Sequence, residues 1–254
     1  MAVDEAVLQA SAQGRVLPTL RLYAWKPACL SLGYAQPISD VQQDELQTRG
    51  WDIVRRPTGG RAILHTDELT YSVSGPENEP RLAGDILTSY RRLSQALLAA
   101  LQALNLPVQA PPTAQSPHGP HPEPVCFEIP SNYEITINGK KLVGSAQARR
   151  GGGVLQHGTL PLYGDLARIT QVLAFEDQEA RARAAERLLA RAATVETALG
   201  HRVSWEEAAS AFEQAFAKTL NLDLQSVELT PWEQAQAEKL FNEKYAHPDW
   251  TEKI

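Results

Sequence analysis

The chain has 254 residues, enough for one large domain or two small ones with a substantial core, and its 43% hydrophobic and 21% charged residues suit a soluble globular protein. Its 24 basic and 30 acidic residues leave a formal charge of −6, which argues against a general nucleic-acid binder, because phosphate contacts need surplus Lys and Arg. No apolar run approaches the roughly 20 residues of a membrane span, and two cysteines make no disulfide framework.

The start, MAVDEAVLQA, carries acids where a secretion signal carries bases, so no signal peptide is expected. The expected location is the cytosol, where a free thiol stays reduced. Val3, Val7 and Leu8 share one helical face and Gly14 ends that helix. Strands TLRLYAW and ACLSLGYA follow. In SDVQQDELQTRG, Asp40 is the expected N-cap and Gly50 the expected stop of a second helix. Strands WDIVRRP, RAILH and LTYSVSG come next. They lead to the clearest helix, GDILTSYRRLSQALLAALQALNL, where Ile86, Tyr90, Leu93, Leu97 and Leu101 recur at helical spacing.

Pro107 to Pro124 is rich in proline and has no apolar period, which predicts a loop. Asn138-Gly139, between NYEITI and KKLVGSAQ, predicts a tight hairpin, and GGG then leads into the strand VLQHGTLPLY. From about residue 166 the pattern is mainly helical. Ser204 and Glu207 form a capping box, and Thr230 precedes Pro231 and Glu233 in the same way. The expected fold class is α+β (mixed α/β): a mixed, largely antiparallel sheet flanked by helices, in one domain over residues 1–254.

Three segments could carry chemistry. In RRPTGGRAILH, Gly59-Gly60 lets a ligand approach the backbone closely, and Arg55, Arg56 and Arg61 around it suit an anion or a carbonyl. A plain glycine turn with solvated arginines fits as well. In GKKLVGSAQARRGGGVLQHG, Lys140 and Lys141 are neighbours in a strand and point to opposite faces, one toward solvent and the other toward a pocket or the sheet. Gly144-Ser145 again suggests close approach to the backbone. His157 reads as a core histidine or one that supports a neighbouring site; no second ligand stands at metal spacing, and no metal is expected. His118 and His121 read as solvated.

The third segment holds Cys126. A free thiol has a pKa of about 8.5 and needs a nearby cation to become a good nucleophile, which Lys141 would supply if loop and strand are adjacent. The competing reading is a small, inert, buried residue, which suits Cys29 in its apolar strand better than Cys126 at the edge of a loop.

Taken together, MAVDEAVL, RRPTGGRAILHTDELTYSV, CFEIPSNYEI, NGKKLVGSAQARR, LQHGTLPL and the closing KYAHPDW resemble the cysteine-dependent octanoyl-[acyl-carrier-protein]:protein octanoyltransferases of the lipoate and biotin protein ligase superfamily. The resemblance covers nearly the whole chain. It implies the ligase-like fold, an acyl thioester on Cys126, and Lys141 as the pocket lysine that lowers the thiol pKa and polarises the thioester carbonyl. It places substrate binding on Arg56, Gly59, Gly60, Arg61 and His65, on Gly144, Ser145 and Gln147, and on His157 and Gly158. It implies no cofactor and no metal. Octanoyl-acyl carrier protein is the implied donor. The implied acceptor is a lipoyl-domain protein such as glycine cleavage H protein or a 2-oxoacid dehydrogenase E2, with no nucleic acid and no membrane involved.

ATP-dependent ligases of the superfamily usually carry a third glycine where this chain has Arg61, and they need no nucleophilic cysteine. Family members usually have a strand ahead of the first helix, which bears on the sheet edge rather than on the site. An octanoyl amidotransferase, an ATP-dependent lipoate ligase and a non-catalytic acyl or lipoyl-domain binding module are the alternatives. Ile63, Leu64, Val73 and Val143 are the expected walls of an acyl tunnel. Backbone amides at Gly59-Gly60 or Gly144-Ser145 are candidates to hold an oxyanion. Lys140, Arg149 and Arg150 are candidates for a basic rim that meets acidic partners.

Overall fold

The computed structural model describes residues 1–108 and 135–254. Cys126, His118, His121 and the Pro-rich loop beyond Val108 lie outside the described residues.

Helix α1 (Ala2–Ala12) is followed by β1 (Thr19–Tyr23), β2 (Cys29–Leu32), α2 (Gln43–Thr48), β3 (Asp52–Arg55), β4 (Ile63–His65) and β5 (Glu68–Pro76). Then come α3 (Ile86–Ala103), β6 (Ile135–Ile137), β7 (Lys140–Arg150) and β8 (Gly153–Pro161). Helices α4 (Gln178–Arg191), α5 (Val195–Leu199), α6 (Trp205–Leu220), α7 (Pro231–Leu240) and α8 (Pro248–Thr251) complete the chain.

Among the described residues the strands form two sheets. The larger is antiparallel throughout, in the order β1-β5-β8-β7-β6. The smaller has the order β3-β2-β4, with β2 parallel to β3 and antiparallel to β4. The mixed character therefore belongs to the small sheet, where α2 lies in the crossover that a parallel pair requires.

Alternation along β5 explains the layering. Leu69, Tyr71 and Val73 join the main core with Leu93 and Leu97 of α3 and Phe212 and Phe216 of α6. The intervening Ser72 instead donates to Asp4 of α1, so helices cover both faces of the sheet. Gly153 allows that packing, since a Cβ there would lie 2.7 Å from Leu8 Cδ1. The hairpin turn has the expected left-handed residues, Asn138 at φ 50° and Gly139 at φ 76°.

Asp40 does not cap α2. It ends a 3-10 turn, Ile38–Asp40, and Val41 is extended and bridges Leu173, so α2 starts after Gln42 with no side-chain cap. Tertiary pairing of Val41 outweighs the local capping preference. Val73 and Val143 also depart from the expected tunnel: both pack in the main core.

A cavity lined by the glycine turn and five strands

The Gly59-Gly60 turn is held from several sides. Arg56, buried, donates to the carbonyls of Ser31 (3.0 Å), Gly59 (2.9 Å) and Arg61 (2.7 Å) and to Ser31 Oγ at 3.2 Å. Behind the turn, Gly33 is required for contact: a Cβ there would sit 1.8 Å from the Gly60 carbonyl oxygen. Gly60 itself adopts φ 97°.

Arg55 does not recognise a ligand anion. It is wholly buried, and it donates to the carbonyls of Gly33 and Gln36 and to Thr251 at the end of α8. Trp250 Nε1 returns a 2.8 Å bond to the Arg55 carbonyl. The closing HPDW segment is thus a clamp on the strand that feeds the glycine turn.

This turn, β7 and β8 enclose a cavity of about 300 Å³, the lower end of the range for small-molecule sites. Arg56, Gly59, Gly60, Arg61 and His65 line it from the loop and β4. Lys141, Gly144, Ser145 and Gln147 line it from β7, and His157 and Gly158 from β8. Every described residue to which the resemblance assigns a site role borders this one space. Ile63 also lines it, whereas Leu64 lies on a separate small pocket.

Lys141 is buried, at 6% exposure. Strand alternation separates it from Lys140, whose Nζ donates outward to the Leu189 carbonyl of α4 at 2.6 Å. Of the expected rim, Arg149 is spent on Gln147, Ser89 and the Leu82 carbonyl. Arg150 donates to the Pro57 carbonyl and stacks over Tyr34.

Across the cavity floor Tyr71, Gly158 and Ser145 are register partners on β5, β8 and β7. The missing side chain lets Tyr71 Oη reach Ser145 Oγ at 2.7 Å. A Cβ on Gly158 would lie 2.5 Å from the Gly144 carbonyl and 2.6 Å from both Ser145 Oγ and Tyr71 Cε1. Gly158→Ala is expected to cost about 1–3 kcal/mol, as overpacking does, read as a lowered midpoint in urea. An unchanged midpoint would show that the three strands can part.

His157 Nε2 lies 2.6 Å from Thr58 Oγ1. Burial, reinforced by Arg56 and opposed by Asp4, pushes its pKa down to about 3, so the imidazole is neutral. Asp4 is buried and accepts from Arg21, from Tyr23 Oη at 2.8 Å and from Ser72 Oγ at 2.7 Å. Burial would raise its carboxyl, but the surrounding positive charge carries it down to about 2.

Residues the sequence reading passed over also line the cavity: Trp25, Ser31, Thr70 and Thr159. Ser31 carried a signal, since it is the polar residue of the otherwise apolar, fully buried strand CLSL. Among the described residues no cluster of His, Cys, Asp and Glu could hold a metal, and no helix is long and apolar enough to cross a membrane.

A glycine-walled cavity with a buried lysine, set between a large antiparallel sheet and a small mixed one, is a lipoate protein ligase-type scaffold. The solved bipartite lipoate protein ligase of an archaeal lipoylation system from Thermoplasma acidophilum superposes with a TM-score of 0.81 and 26% identity, over 99% of this chain and 89% of that one. The chain belongs to the lipoyl protein ligase A/B catalytic domain family, whose profile matches residues 1–217. Among its curated relatives, the octanoyltransferase LipM of Kyrpidia tusciae is 41% identical and that of Brevibacillus brevis 38%, each over 98% of this chain and 92% of the relative.

Proposed function

We propose that this protein transfers an octanoyl group from octanoyl-acyl carrier protein to a lysine of a lipoyl-domain protein, in the cytosol, through a thioester on Cys126. The observation that carries the reading is the cavity: an acyl-sized space beside a buried lysine, in a chain whose relatives bear the name octanoyltransferase. A lipoyl-domain acceptor accords with the archaeal ligase, described together with its E2 lipoyl domain.

The chemistry balances without ATP. The Cys126 thiolate attacks the donor carbonyl and the carrier's thiolate leaves, so one thioester replaces another at nearly equal free energy. The acceptor amine then attacks the same carbonyl, the C–S bond breaks, and an amide forms downhill. Burying the alkyl chain at about 0.8 kcal/mol per methylene gives roughly 5 kcal/mol of recognition. Lys141 supplies positive charge to the thiolate and to the carbonyl oxygen. Lys141→Ala is expected to slow acyl-enzyme formation by about ten- to a hundredfold while weakening chain binding far less; equal acylation rates at neutral pH would reject that role.

The test is to incubate the protein with octanoyl-carrier and no ATP, then look for an octanoyl adduct on the Cys126 peptide by mass spectrometry. An adduct excludes an ATP-dependent ligase and a non-catalytic binding module. Its absence, with octanoylation only when octanoate and ATP are supplied, would make the protein a ligase, like the lipoate protein ligase of Thermoplasma acidophilum. An octanoylated lipoyl protein offered as rival donor separates the amidotransferase.

A further inference from the structure

Amide formation releases a proton. As the acceptor nitrogen bonds to the acyl carbon it must shed an N–H proton, and a nearby group has to take it. Arginines hold their protons in proteins, so Arg56 and Arg61 do not serve. His157 is bonded to Thr58 and its imidazole resists protonation.

His65 is built differently. It lines the cavity, and both ring nitrogens have partners. Nδ1 lies 2.6 Å from Oε1 of Glu68, which is buried and does not line the cavity. Nε2 lies 2.8 Å from Ser31 Oγ, which does. Burial would raise the Glu68 carboxyl, but the hydrogen bonds it accepts from Nδ1 of His65 and from Thr70 Oγ1 favour the carboxylate, and its pKa lies below the ordinary value. As a carboxylate it accepts from Nδ1, which places the proton on Nδ1 and the lone pair on Nε2. Ser31 Oγ accepts from Arg56 at 3.2 Å, leaving its own hydrogen to point at Nε2. The ring plane is fixed as well: Trp25 stacks on it at 4.3 Å and 13°, and Trp25 Nε1 donates to Thr70 Oγ1 at 2.9 Å.

We infer that His65, oriented by Glu68 and Trp25, is the base that takes the proton from the acceptor lysine's nitrogen in the amide-forming half-reaction. The inference rests on the transfer reading above. In that step the C–N bond forms, the C–S bond breaks, and the thiolate leaves. The N–H proton passes to Nε2, directly or through the Ser31 hydroxyl that occupies its hydrogen-bonding position. Nδ1–H stays on His65, and Glu68 balances the imidazolium. The ring later returns the proton to the thiolate. His65 is the catalytic residue here; Glu68 and Trp25 are positioning residues.

The two half-reactions are timed separately by intact-protein mass: octanoyl-enzyme formation from octanoyl-carrier, then discharge to a purified lipoyl domain. In His65→Ala and Glu68→Gln the ratio of discharge rate to loading rate is expected to fall at least tenfold, and added imidazole should restore discharge in His65→Ala but not in Glu68→Gln. Glu68→Gln keeps the shape of the site, so the test survives if His65→Ala folds poorly. Equal slowing of both half-reactions, or discharge that survives both substitutions, overturns the assignment. A wild-type protein that never loads octanoate from the carrier is a different failure, visible before any variant is made, and it sinks the transfer reading together with this one.

Discussion

Cys126→Ala is expected to lower octanoyl transfer by on the order of a thousandfold or more, because removing the nucleophile of a covalent mechanism leaves only binding and positioning. Cys126→Ser should be nearly as slow in turnover, for a different reason. A hydroxyl is a far weaker nucleophile than a thiolate at neutral pH, and any oxyester that forms resists attack by the lysine amine. A small stable adduct without turnover is therefore the expected signature of the serine variant. The second cysteine is the internal control. Cys29 is buried in β2, and burial, aided by Asp52, pushes its thiol up to about 12. It stays protonated, so Cys29→Ala is expected to retain most of the transfer activity. Radiolabelled octanoate followed from carrier to lipoyl domain measures all three variants. Full turnover in Cys126→Ala without ATP would end the thioester reading.

What could be read from the sequence was local. Asn138-Gly139 fixes a hairpin through its own backbone preferences. Ser204 with Glu207 and Thr230 with Glu233 close capping boxes within one turn of helix. LTYSVSG reads as a strand, and β5 (Glu68–Pro76) is one, although Val73 packs in the core and not in a tunnel. What the sequence hid depends on contacts between distant segments. Asp40 has an N-cap's chemistry, but Val41 is pulled into pairing with Leu173. Arg55 and Arg56 are adjacent and alike, yet one anchors the C-terminal clamp while the other frames the glycine turn. Gly33 matters only because Gly60 lies against it. Ser31, His65 and Glu68 come from β2, β4 and β5, and only the pairing of β2 with β4 brings Ser31 and His65 together. The family's motifs therefore marked the cavity walls, and the hydrogen-bonded scaffold behind them had to be seen in three dimensions.

That scaffold should make folding acid-sensitive, and His157 is one group whose contribution can be followed. In the folded protein burial pushes its pKa down to about 3; in the unfolded chain it titrates near 6.5. Between those values the unfolded state binds a proton that the native state does not, so stability rises with pH across this window. The contribution is fully present above about pH 6.5 and is lost progressively as the pH falls toward 3, a span worth on the order of 4 kcal/mol. Asp4 acts at the lower end in the same direction: its depressed carboxyl stabilises the fold above about pH 4 and loses that effect as the pH falls toward 2. Urea midpoints taken from pH 7.5 down to 4 should therefore fall more steeply for the wild type than for His157→Gln, which keeps a polar group opposite Thr58 but has nothing to titrate. At pH 7.5 the variant is the less stable of the two, because it loses the fitted imidazole; near pH 4 the gap narrows or reverses. Parallel curves would mean that His157 takes up a proton in the folded state as readily as in the unfolded chain, adding a further cation to a cavity already lined by Lys141, Arg56 and Arg61.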